Sequence, residues 1–256
     1  MERLEGSLND SFVAEIADAL YALDGVEAVA LGGSRAAGLE RPDSDWDFGL
    51  YYRGAFDPQR LRDLGYDGYV SELGEWGGGL FNGGAWLRIH GRKVDVMFRD
   101  LDAVEHELAQ AQIGSFHREP LFHHLAGMPS YLVVAELAVN RVLRGSLPSP
   151  EFPEALRRTA PPVWLQAADL LFDYARTNYA VRGQVTECAG LLAWAAMCVA
   201  HAVLAARGQW CVNEKSMLER AGLRGIDEIV LALSSDPTEL TRSVNHVQQL
   251  CRKVRQ

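Results

Sequence analysis

Apolar side chains recur every three or four residues from position 11 to 23, where Phe12, Ile16, Ala19, Leu20 and Leu23 share one side of a helix. Asp24-Gly25 stops that helix. Residues 26–31 form a short apolar run with β-branched members, and Gly32-Gly33-Ser34 follows at once. This predicts a strand feeding a glycine-bearing turn, with a helix able to open over 34–38. After Arg41-Pro42-Asp43-Ser44, a turn sequence, residues 45–52 alternate acidic and bulky side chains and predict a second strand. Residues 53–64 read as a loop and a helix. Further strands are expected within 70–100, interrupted around Gly77-Gly78-Gly79 and Gly83-Gly84. In the last of them, 93–99, Val94, Val96 and Phe98 take one face and Asp95 the other.

From about residue 101 the period becomes helical, over 101–111, 131–143, 155–180, 186–207, 215–221 and 237–253, and strand signals end. Ser149-Pro150 and Asp236-Pro237-Thr238-Glu239 mark helix starts; in the second, Asp can cap, Pro can take the first helical position and Glu can reach back. The pattern predicts an α/β (α+β) domain with a mixed sheet over residues 1–122, followed by an all-α helical bundle over 123–256, with the change of pattern between 118 and 130. No internal repeat is evident.

A chain of 256 residues, 48% hydrophobic, is long enough to bury a core in each of two such domains. Its 25 Lys and Arg against 34 Asp and Glu give a formal charge of -9. No chain-wide positive field is available to hold a phosphate backbone, so the charge argues against nucleic acid as a partner and favours a cationic small molecule. The four cysteines, Cys188, Cys198, Cys211 and Cys251, form no close pair of the kind zinc or redox chemistry uses. The opening MERLEGSLND lacks the basic patch and apolar run of a signal peptide. The most apolar stretch, 188–206, contains His201 and is flanked by Arg182, Glu187 and Arg207, which suits a buried helix better than a membrane span. A cytoplasmic protein without membrane association is expected.

Chemistry concentrates in Leu31-Gly32-Gly33-Ser34-Arg35-Ala36-Ala37-Gly38, followed after five residues by Ser44-Asp45-Trp46-Asp47. Glycines let a backbone approach a phosphate closely, and a helix opening at the turn offers unpaired N–H groups with a favourable dipole end. The Ser34 hydroxyl can add a donor. Asp45 and Asp47, at i and i+2 of one strand, project from the same face and can share divalent ions. Asp95, from a later strand, is the candidate third carboxylate of a site for two Mg²⁺ ions, which clamp the attacking and leaving oxygens of an in-line phosphoryl displacement. Three like charges held together are costly without cations, so the cluster predicts metal dependence. The alternative is an ordinary strand-ending turn beside solvated aspartates.

Gly32-Gly33-Ser34 with the spaced Ser44-Asp45-Trp46-Asp47 resembles the G-S-x(n)-D-x-D signature of the DNA polymerase β nucleotidyltransferase superfamily, over residues 26–100. The resemblance implies a nucleotidyltransferase domain with Gly33 and Ser34 at the triphosphate, Asp45 and Asp47 as metal ligands, and ATP or another NTP as substrate with Mg²⁺. Within that superfamily, residues 186–218 are similar to the streptomycin/spectinomycin adenylyltransferases, which implies Lys215 at the nucleotide phosphates. The third acidic position in some of those enzymes is a Glu acting as general base. Asp95 is shorter and is assigned metal binding with a possible base role. The expected function is Mg²⁺-dependent transfer of an NMP, AMP first, to a hydroxyl of a small molecule such as an aminoglycoside. Two alternatives stand beside it: nucleotidylation of a protein or RNA, and a nucleotide-binding regulator or antitoxin-like partner without turnover.

Other candidates carry competing readings. Arg35 suits either triphosphate support or an exposed helix face. Lys215 is equally readable as a solvated residue at a helix start. His123-His124 lacks a third ligand at metal spacing, and His201 reads as a core histidine. Trp46, Trp76 and Trp86 suit stacking on a base or sugar, or plain packing. Glu136 and Glu187, in apolar helices, suit a cleft for a cationic substrate or an exposed face.

Overall fold

Alternation with period two puts every second side chain of a strand on one face, and the alternating runs of this chain build one mixed sheet. The computed structural model describes residues 2–36, 38, 41, 44–77, 79–122 and 124–254. Pro42 and Asp43 of the predicted turn, Ala37 of the predicted helix opening, Gly78 of the glycine run and His123 lie outside the described residues. Helix α1 (Glu2–Tyr21) leads into β1 (Val26–Leu31), the short α2 (Gly33–Ala36), β2 (Trp46–Tyr52), α3 (Pro58–Arg62), β3 (Asp67–Val70), β4 (Gly84–Ile89) and β5 (Arg92–Asp100). Next come α4 (Leu101–Gln112), the two-residue strands β6 (Arg118–Glu119) and β7 (Met128–Pro129), α5 (Leu132–Val139) and β8 (Arg141–Gly145). The remainder is helical: α6 (Glu154–Tyr174), α7 (Val185–Ala206), α8 (Met217–Arg220), α9 (Ile226–Leu231) and α10 (Pro237–Lys253).

The chain forms two compact units, Met1–Leu108 with Val133–Glu151, and Ala109–Leu132 with Phe152–Gln256. In the first, six strands run in the order β3-β4-β5-β2-β1-β8. β2 and β5 are parallel and every other pair is antiparallel. This is the mixed sheet that the alternation predicts. One sheet face is the core: Val29, Leu31, Trp46, Phe48, Leu50, Tyr52, Val94, Val96 and Phe98 pack with Phe12, Val13, Ile16, Ala17 and Leu20 of α1 and Leu61 of α3. Burial of each such side chain is worth roughly 1.5–3 kcal/mol.

The helix expected over 131–143 stops at Val139, and residues 141–145 join the sheet instead, so strands do not end near 101. Leu132–Val139 is apolar except for Glu136, and apolar residues resume at Val142 and Leu143, which hid the break. Arg141, Val142 and Gly145 are exposed, and Leu143 and Arg144 half-buried, as suits an edge strand. Gly145, at φ +72°, lies so close to β1 that an added Cβ would meet the Glu27 carbonyl oxygen at 2.1 Å. Residues 133–151 thus belong with the sheet, whereas the sequence suggested one change of unit near 122.

Helix α5 carries Glu136, which closes a bidentate pair with Arg99 of β5: Nε to Oε2 at 2.6 Å and Nη2 to Oε1 at 2.7 Å. The two side chains are only 3% and 17% exposed, so Glu136 lines no cleft for a cationic substrate. Tyr51 lies beside Arg99 in register, and burial, then the Glu136 charge, pushes its phenol well above the ordinary range.

In the second unit α6 and α7 pack along their length. The periodic stretch 155–180 is helical throughout, α6 passing at Ala175–Tyr179 into a wider turn. Asp236 caps α10 as predicted, accepting from Thr238 N at 3.0 Å and Glu239 N at 2.9 Å. Helix α7 is long and apolar enough to cross a membrane by length and composition, but 72% of its most apolar window is buried inside the protein. His201, on α7, stacks on Trp164 with ring centroids 4.1 Å apart. The Arg118 guanidinium lies 5.1 Å from the centre of the same indole. Glu214 accepts from the backbone N–H of Leu125 (2.6 Å) and Ala126 (2.9 Å). Its Oε1 is 3.9 Å from His201 Nε2, beyond hydrogen-bonding reach. Burial holds the His201 imidazole below its ordinary value, although Glu214 pulls the other way. Burial raises the Glu214 carboxyl, and its His201 and backbone partners outweigh that to leave it lowered.

Two outcomes follow. Glu136→Ala strands the Arg99 charge in the protein interior and lowers stability by about 3–5 kcal/mol, read from the urea midpoint at constant m-value. Below the ordinary imidazole pKa of about 6.5 the unfolded chain takes up a proton at His201 that the folded chain resists. Stability therefore falls as pH drops from that value toward the depressed folded one. His201→Phe removes this part of the slope in melts recorded across that window.

Candidate active site

The face of the sheet opposite α1 carries the polar residues, and register sets them out as a grid. Across one row, Tyr69 of β3 pairs Trp86 of β4, Trp86 pairs Asp95 of β5, and Asp95 pairs Asp47 of β2. Gly32 N donates to the Asp47 carbonyl at 2.8 Å, which ends the row at the glycine turn. A second row holds Asp67, Arg88 and Lys93, in register with one another. Asp45 completes it, its Oδ1 3.7 Å from Lys93 Nζ. Asp45 lies just before the first residue of β2, so its place rests on that contact and on the two-residue step to Asp47.

The turn that follows β1 fits against Asp47. Gly33 has φ +63°, and a Cβ there would lie 1.8 Å from Asp47 Oδ2. Only glycine allows both the left-handed backbone and the carboxylate's approach. A Cβ on Gly32 would meet Asn140 Oδ1 at 3.1 Å, so Asn140 backs the same turn. Ser34 follows Gly33 in α2, half-buried. Arg35 donates from Nε to the Asp45 carbonyl (3.1 Å) and from Nη2 to the Ser44 carbonyl (2.7 Å). Its guanidinium also lies 3.9 Å from the centre of the Trp46 ring. Arg35 thereby ties the turn to the start of the aspartate strand.

The structure brings Gly33, Asp47 and Asp95 together, with Asp45 and Arg35 next to them. Lys215 stands in the second compact unit, exposed, its N–H bonded to Asn213 Oδ1 at 3.0 Å. Trp46 is a core residue, 6% exposed, and packs edge-on against Phe12. Glu187 is on an exposed helix face. Lys93, Asp67 and Asn140 were not legible as site residues. Lys93 precedes Asp95 by two positions on one strand and could have been found by alternation; Asp67 and Asn140 reach the face only through pairing and helix packing.

The donors suit a hard cation such as Mg²⁺, which prefers carboxylate oxygens. Two carboxylates sit in register on adjacent strands, and Asp45 Oδ1 is buried without a hydrogen bond. Among the described residues no group of three His, Cys, Asp or Glu side chains is already arranged as a metal site. The residues thus fit a metal as a carboxylate pair, with Asp45 held toward Lys93.

Residues 13–76 match the family model described as a nucleotidyltransferase domain. Gly33, Ser34, Arg35, Asp45 and Asp47 fall inside the match, Asp95 and Lys215 outside it. No curated protein matches the chain. Among solved structures, the chain is similar to a nucleotidyltransferase-like protein from Exiguobacterium sibiricum 255-15. The identity is 10% and the TM-score 0.45, over 92% of this chain and 71% of that one.

Gly33→Ala adds both backbone strain and a collision with Asp47. It is expected to cost more than about 1 kcal/mol. Gly54→Ala is the control, because Gly54 has φ +71° but open space around it. Urea unfolding of the two variants should show Gly33→Ala as the more damaging.

Proposed function

We propose, from the match of residues 13–76 to a nucleotidyltransferase domain, that the chain is a transferase that moves an NMP, AMP first, from an NTP to a hydroxyl of a small molecule. The observation that carries this reading is the row itself. A glycine turn able to take phosphates closes on Asp47, and Asp95 stands beside Asp47 in register.

In this reading the Gly33 and Ser34 segment binds the β and γ phosphates through backbone N–H groups and the Ser34 hydroxyl. Asp47 and Asp95, with Asp45, would hold Mg²⁺, which would neutralise charge on the phosphates and polarise the α-phosphorus when bound. The acceptor oxygen forms a bond to the α-phosphorus as the bond from that phosphorus to the bridging oxygen breaks, and the electron pair leaves with pyrophosphate. The hydroxyl proton passes to the Asp95 carboxylate and then to water. Three aspartates around the reacting centre disfavour an anionic acceptor, and the chain's charge of -9 points the same way. A cationic, hydroxyl-rich acceptor, aminoglycoside-like in its chemistry, fits that field.

The reading is tested by pyrophosphate release with ATP, GTP, CTP or UTP, Mg²⁺ and a pooled library of small hydroxylated amines. Release should depend on Mg²⁺, and Asp47→Asn should lower it by about two orders of magnitude or more. Release that is equal in wild type and Asp47→Asn, or is absent with every nucleotide, contradicts it.

A further inference from the structure

The row does not stop at the carboxylates. Beyond Asp95 it continues into Trp86 and Tyr69, whose rings stack at 5.5 Å with 24° between their planes. Trp76, from the loop between β3 and β4, stacks on Trp86 at 5.0 Å and 23°. Its ring lies over Gly84, where a Cβ would sit 2.7 Å from Trp76 Cη2, so the missing side chain makes room for the indole. The Tyr69 hydroxyl donates to Glu75, and Glu75 Oε2 accepts from Glu72 N at 2.7 Å, which fixes the loop that presents Trp76. Three rings are thus held in place, yet Trp86 is 50% exposed and Tyr69 39%. A pre-arranged aromatic surface left open to water is suited to taking a ligand.

In-line displacement decides what binds there. The entering oxygen must approach the α-phosphorus from the side opposite the leaving pyrophosphate. With the pyrophosphate held at Gly33 and Ser34, on one side of Asp47, the entering hydroxyl arrives from the Asp95 side. Strands lie about 4.8 Å apart, so Trp86 stands about 10 Å across the sheet from Asp47. We propose that the Tyr69, Trp86 and Trp76 rings are the acceptor platform, taking a saturated hydroxylated ring that bears ammonium groups. Indole faces attract cations and the C–H edges of such rings. Asp95 in the platform's own row and Asp67 in the next supply negative charge for ammonium groups, with Arg88 and Lys93 standing in that next row. This assignment rests on nucleotidyl transfer at the same carboxylates.

The test uses calorimetry on the full chain with two probes, kanamycin and the non-transferable analogue α,β-methylene-ATP with Mg²⁺. Wild type should bind both. Trp86→Leu should weaken kanamycin about tenfold and leave the analogue within about twofold, which also shows that the variant is folded. Trp86→Phe should restore most of the kanamycin affinity. Asp47→Asn should do the reverse, losing the analogue and keeping kanamycin. Three results overturn the platform: no saturable kanamycin binding to wild type, kanamycin binding unchanged in Trp86→Leu, or loss of the analogue instead of kanamycin, which would make the rings a nucleobase platform. Failure of the analogue to bind wild type, or its indifference to Asp47→Asn, would instead count against nucleotidyl transfer, whatever kanamycin does.

Discussion

The parallel pairing of β2 with β5 is the constraint on which the site depends. Its register sets Asp47 beside Asp95 and, on the other face, buries Trp46, Phe48, Leu50, Val94, Val96 and Phe98. Two ionised carboxylates about 5 Å apart repel by about 1–3 kcal/mol at effective dielectrics from that of water down to 20. Six buried apolar side chains at roughly 1.5–3 kcal/mol each outweigh that several times over. A slip of one residue would drive the aspartates into the core and the apolar set into water. Core packing thus sets where the two carboxylates stand.

The same register divides the polar face along its length. Two steps along β5 from Asp95 lies Met97, and two more bring Arg99, buried against Glu136 under α5. A bidentate pair of this kind offsets much of its own desolvation, so its value lies more in geometry than in net stability. Glu136 fixes which side of α5 faces the sheet. Asn140, four residues on and one helical turn away, is then brought against Gly32. The glycine turn is thereby supported from two directions, by Asp47 on the sheet and by Asn140 beyond the helix end.

Local chemistry made most of the first unit legible. Glycine at 32 and 33, the i, i+2 aspartates and the apolar alternation of 94, 96 and 98 are short-range signals, and each marks an element that the structure contains. What was not legible is what pairing decides. Arg141–Gly145 has too few buried side chains to show alternation, and its strand identity comes from hydrogen bonds to β1. Trp46, Trp76 and Trp86 look alike in sequence, yet one is core, one folds over a glycine and one is half in water. The short strands Arg118–Glu119 and Met128–Pro129 gave no periodic signal at all, being two residues each.

Arg35 illustrates how a charged residue can serve such a site through the main chain around it. Its guanidinium bonds the carbonyls of Ser44 and Asp45 and covers Trp46, which also packs into the core and lies near the Arg92 guanidinium. Main-chain acceptors do not titrate or change rotamer, so this anchorage does not vary with pH as a carboxylate partner's would. It joins the glycine turn to the strand that carries Asp45 and Asp47 and so fixes the spacing between them. A permanent positive charge held there also offsets part of the repulsion among the aspartates. Lysine could supply the charge, but not the planar fork that spans two successive carbonyls while stacking on an indole. The arrangement of the site therefore rests on a side chain that bonds its backbone as much as on the carboxylates themselves.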